Sequence, residues 1–172
     1  MSYRRTTITR RLATVTATGA LAAAMVGTAP ATAAAHNIEL PAGTACADFA
    51  LGIDVMGDAP TTRVFTDREG NITRVITAGK GQALTFTNLV SEESLSLKAN
   101  GSVNITRPGA NGVSTATLMG HNVIIMFPSD TPPGPSTTLY VGRIVYTFDQ
   151  FSTFTMLSTS GRSMDICAAL AG

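Results

Sequence analysis

From Phe49 to Ser158 the apolar residues of this chain recur at every second position in short runs, and Gly, Pro, Asn and Asp break those runs. Period-two alternation buries one face of an extended strand, and breaks at intervals of roughly eight to twelve residues are the spacing of an antiparallel sandwich or barrel. Within that stretch no segment of useful helical length carries an amphipathic pattern of apolar residues three and four apart. The chain is therefore expected to be all-β, with about nine strands.

Phe49, Leu51, Ile53 and Val55 alternate with Ala50, Gly52, Asp54 and Met56, and Gly57-Asp58-Ala59-Pro60 ends that run. Arg63 to Thr66 and Ile72 to Thr77 are rich in β-branched residues and flank Asp67-Arg68-Glu69-Gly70-Asn71, a hairpin pattern whose Gly and Asn suit left-handed turn positions. Gln82 to Asn88 is a further strand. Ser94 to Ala99 and Ser102 to Thr106 flank Asn100-Gly101, the dipeptide that most strongly signals a local hairpin, and these two runs are expected to pair. Val113 to Met119 and Val123 to Phe127 read as separate strands around a Gly120-His121-Asn122 turn. After the proline-rich link from Pro128 to Ser136 comes a long strand, Thr137 to Phe148, and then Phe151 to Ser158. The segment from Met164 to Leu170 fits either a helical turn or a last strand.

The opening MSYRRTTITRR carries four arginines and no acid, and a weakly apolar stretch ending in small residues follows it. That is a charged n-region, an apolar h-region and an A-x-A-like site, which predicts a signal peptide over 1–35, cut between Ala35 and His36. The apolar core from Leu12 to Val26 is shorter than the roughly twenty residues a spanning helix needs, so no stable membrane span is expected after cleavage. A single domain over 36–172 remains. Four of the twelve basic residues belong to the leader, so the domain carries eight against eleven acids, a net charge of −3. Its Arg and Lys are scattered singly along the chain, which gives no footprint for nucleic acid.

Cys46 and Cys167 are the only cysteines and stand near the two ends of that domain. In an exported chain such a pair is expected to form a disulfide, which would tie the first and last elements together. That tie favours an antiparallel β-barrel, with a β-sandwich as the alternative, because closure removes exposed strand edges. A metal site is not expected, since only His36 and His121 accompany the two cysteines.

No motif carries a mechanism. Gly79-Lys80-Gly81 lacks the third glycine and the helix of a phosphate loop. Ser114 does not sit in a G-x-S-x-G elbow. A hydrolase or isomerase would have to gather Glu39, Asp54, Asp58, Asp130, Asp149 and Asp165 around His121. The expectation is instead a non-catalytic extracellular module, with no catalytic residue and no cofactor, that binds a ligand or a surface partner.

The stretches CADFALGIDVMGD, FTDREGNITRVITAGKGQALTFTN, GPSTTLYVGRIVYTF and DICAAL together resemble a group of secreted actinobacterial proteins of unknown function. The likeness spans most of the expected mature chain and includes both cysteines. It implies export and an all-β domain, and it brings no activity or site with it.

Overall fold

The computed structural model describes residues 36–172; the expected leader and the Ala35 side of the expected cleavage site lie outside the described residues. Ten strands form: β1 (Ile38–Leu40), β2 (Leu51–Met56), β3 (Thr61–Thr66), β4 (Ile72–Gly79), β5 (Ala83–Asn88), β6 (Ser94–Leu97), β7 (Ser102–Pro108), β8 (Ser114–Met126), β9 (Ser136–Phe148) and β10 (Phe154–Asp165). A short helix, α1 (Ile166–Leu170), ends the chain, and Asp165 caps it by accepting from the Ala168 amide. The strands pair antiparallel in two sheets, ordered β1-β2-β5-β6 and β10-β9-β8-β7-β4-β3. Neither sheet closes on itself.

The β3–β4 hairpin forms as expected. Asp67 Oδ1 accepts from the Glu69 and Asn71 amides at 3.0 and 2.8 Å, which fixes the turn. The Asn100-Gly101 hairpin does not form. Strand β6 pairs with β5 in the smaller sheet, while β7 pairs with β4 and β8 in the larger, so Asn100-Gly101 marks a crossing between sheets. Leu95 and Leu97 explain the choice: both pack into the core of the smaller sheet, an apolar gain that a local turn cannot match.

Gly120-His121-Asn122 is not a turn either. It lies inside β8, a continuous strand of 13 residues paired along its whole length with β9. What the glycine supplies is a fold in the sheet. Thr131 bridges Thr155, which pairs with Thr147, whereas Met126 pairs with Ser136. A straight β9 would hold Ser136 and Thr147 roughly 36 Å apart. The chain from Met126 to Thr131 reaches at most about 18 Å, so β9 must bend.

The fold line runs through Gly120, Gly142 and Gly161, which lie side by side in register on β8, β9 and β10. Their φ angles are +92°, +155° and +101°, and an added Cβ would stand 2.0 Å from the Ser160 carbonyl at Gly142 and 2.2 Å from neighbouring carbonyls at the other two. Only glycine permits both the backbone angle and the approach.

Two cores result. The first joins the smaller sheet to the far half of β8 and β9: Leu51, Ile53 and Phe86 pack with Val123, Ile125 and Leu139, together with Ile166 and Leu170 of α1. The second lies on the opposite face of the larger sheet, where Ala116, Leu118, Ile144 and Tyr146 meet Ile124, Tyr140 and Phe154. Val123 and Ile125 face one core and Ile124 the other, which is why this run of β8 is apolar throughout. The Cys46–Cys167 disulfide forms, and Cys46 is buried in the first core.

Candidate functional site

Where the smaller sheet lies against β8 and β9, the packing leaves a cleft of about 520 Å³. Leu84 of β5 and Leu97 of β6 line it from one side, Val123 of β8 and Leu139 of β9 from the other, and Gln82, Lys98, Asn100, Ser102 and His121 are its polar lining. The crossing from β6 to β7 places Lys98 and Asn100 at this opening, so the segment that fails to make a hairpin builds the rim.

Asn100 Oδ1 accepts from the Gly101 amide at 2.9 Å, leaving its Nδ2 to face His121 Nε2 at 3.2 Å. Nδ2 can only donate, so Nε2 is the accepting nitrogen and the His121 ring proton belongs on Nδ1. The His121 amide also donates to the Gly101 carbonyl at 3.2 Å. Gln82 Nε2 donates to the Gly57 carbonyl at 2.9 Å, which holds the β4–β5 connection against the end of β2. Asn122 belongs to the cleft wall, but alternation turns its side chain to the other face of β8, where its amide nitrogen is buried without a partner.

The lining contains no carboxylate. Each acid considered from the sequence stands elsewhere. Asp54 takes His36 Nδ1 at 2.8 Å and the Asn37 amide at 3.2 Å, and the His36 hydrogen bond holds its carboxyl below the usual range. His36, on the described side of the expected cleavage site, is thus docked on β2. Asp130 is buried and accepts from the Phe127 and Phe154 amides at 2.6 and 2.9 Å, fastening the proline-rich link to β10. Asp149 closes the β9–β10 turn by accepting from Phe151 and Thr153. Asp165 caps α1, while Glu39 and Asp58 are exposed on β1 and on the β2–β3 connection.

His121 is therefore a strand residue beside an amide, with none of these acids at its ring. Ser114 opens β8, roughly 23 Å along the strand from His121. Among the described residues no three of His, Cys, Asp or Glu group in a way that could hold a metal ion.

Sequence reasoning missed this cleft because its walls come from two sheets. Leu84, Leu97, Val123 and Leu139 each read as an ordinary inward residue of its own strand. The signal available was the Lys98-Ala99-Asn100-Gly101 run directly after the alternating Leu95 and Leu97.

Fold and site define an antiparallel two-sheet domain with one disulfide and an apolar cleft rimmed by donors. No family model, no curated protein and no solved structure matches the chain.

Proposed function

We propose that this protein is a non-catalytic, extracellular ligand-binding module that holds an amphiphilic small molecule in the cleft between its sheets. The observation that carries this reading is the cleft's lining: apolar Leu84, Leu97, Val123 and Leu139 together with Lys98, His121 and Ser102, and no acid. Its volume falls within the range of roughly 300–1,000 Å³ in which small ligands are bound. An apolar body would displace water from the leucines, and an anionic or carbonyl end would meet the donors.

Export fits the leader pattern and the disulfide, and membership of a secreted actinobacterial group fits the two terminal cysteines. The same reading takes the domain as a flattened barrel rather than a sandwich. In support, the cystine ties the start of the fold to its end, and α1 packs against β5 and β6 of one sheet and β9 and β10 of the other.

Anilinonaphthalene sulfonate, an anionic aromatic probe, tests the cleft. The folded protein should enhance its fluorescence, and Leu97→Trp, which fills the cleft with a larger apolar side chain, should abolish the enhancement while leaving the circular dichroism unchanged. No enhancement by the native protein, or equal enhancement by the folded variant, would overturn the reading.

A further inference from the structure

One face of the larger sheet is covered by the smaller sheet only beyond the glycine line, where Val123, Ile125 and Leu139 pack. The rest of it is left uncovered, and the register gathers arginines along that face. On β3 and β4, Phe65 lies beside Arg74 and Arg63 beside Ile76. Ile76 continues to Ile105 on β7, and Ile105 to Thr117 on β8. Arg107, two residues from Ile105 and on the same face, pairs with Thr115. Met119 pairs with Arg143 on β9, and Arg143 with Ser160 on β10. Arg162 follows on the same face beyond the glycine line, opposite Val141. Every basic residue borne by a strand of this sheet, Arg63, Arg74, Arg107, Arg143 and Arg162, thus shares one face.

No acid shares it. The one carboxylate on these six strands is Asp165, which pairs with Thr138 and so faces the other way. Among the described residues none of the arginines is in an ion pair; the one pair found joins His36 to Asp54. Arg74 stacks its guanidinium 4.4 Å from the centre of the Phe65 ring, and its Nε is buried without a hydrogen-bond partner. In a domain of net charge −3, a face that collects five cations and excludes acids is set apart from the remaining surface.

We propose that this face docks an acidic protein segment in which carboxylates flank apolar side chains. Two groups of cations, Arg63, Arg74 and Arg107 on β3, β4 and β7 and Arg143 with Arg162 on β9 and β10, stand roughly 20 Å apart by strand spacing and rise. Between them lie Ile76, Val103, Ile105 and Met119, the last 38 % exposed. An apolar centre with an arginine rim is the anatomy of a protein interface. The guanidinium fork matches a carboxylate bidentately. A polysaccharide or a nucleic acid would gain little from aliphatic side chains, and the face's one aromatic ring, Phe65, is already covered by Arg74. His121, Val123 and Leu139 of the cleft wall continue this face beyond the glycine line, next to Arg162. The other four arginines and the apolar centre lie before that line, so the occupant is separate from the cleft's ligand.

The test is binding of a fluorescent peptide of Glu-Glu-Leu-Glu repeats, measured by anisotropy at low and high NaCl. The native protein should bind it, more weakly as salt rises. Arg107→Glu with Arg143→Glu, both at exposed positions, should weaken binding roughly tenfold or more. Arg68→Glu with Lys80→Glu, an equal charge change off the face, should leave it within about twofold. Thermal unfolding of each variant confirms folding, and Arg143→Gln serves if the reversal does not fold. No binding, equal losses from the two double variants, or preferential binding of polyuronate, duplex DNA or phosphatidylglycerol vesicles would each overturn the proposal. Because the cleft probe is read separately, this proposal can fail while the cleft reading stands.

Discussion

Gly142 shows how much of the architecture rests on single residues without side chains. A methyl group there would meet the Ser160 carbonyl at 2.0 Å in a strand hydrogen-bonded on both sides, so nothing nearby can yield. Gly142→Ala should destabilise the fold by on the order of 3 kcal/mol or more. Gly101→Ala, where an added Cβ meets nothing within 4 Å, should stay within about 0.5 kcal/mol of the parent. Urea unfolding of the two variants measures the contrast; equal effects would remove the glycine fold line.

Asp54 sets a pH response at the same scale. Its carboxyl is held below its ordinary value by the His36 hydrogen bond, and Asp67 is lowered by its bonds to Asn71. A lowered folded pKa means that the unfolded chain binds protons first. The stabilisation from both groups is thus complete above about pH 4 and lost as pH falls through their folded values. Asp54→Asn should lower stability at neutral pH and make the acid limb of the stability curve shallower, as read by urea unfolding between about pH 2 and 6. An unchanged limb would contradict the assignment.

At the scale of elements, the cystine and α1 act as one clasp. Cys46 lies in the loop before β2 and Cys167 lies in α1, 121 residues later. Asn88 and Thr137 strengthen the same corner, the first donating to the Leu170 carbonyl and the second to the Ala45 carbonyl. Closing so long a loop is worth a little under about 5 kcal/mol in the chain-entropy account. Cys46→Ala with Cys167→Ala should therefore remove several kcal/mol, measured by thermal unfolding against the oxidised parent, and a loss below about 1 kcal/mol would show that α1 docks without it.

Element identity was largely legible: the alternating runs became strands, and Asp67 to Asn71 became the expected turn. Pairing was less so. Asn100-Gly101 obeys local turn chemistry, yet its flanking strands join different sheets, because Leu95 and Leu97, half-buried, pack against residues distant in the chain.

For the whole molecule, the residues by themselves determined the all-β class, the cystine pair, and the apolar run of β8 that must face two cores. These follow from local periodicity and from counting, which need no partner to be known. Only the tertiary structure decided the two-sheet arrangement, the fold at Gly120, Gly142 and Gly161, and the cleft whose four walls come from two sheets. It also decided the arginine face: five cations spread singly from Arg63 to Arg162 become one surface because the register sets β3, β4, β7, β8, β9 and β10 side by side. A side chain's face is fixed by its parity along its own strand, but its neighbours are fixed by register between strands. Register is set by long-range burial that no local pattern records.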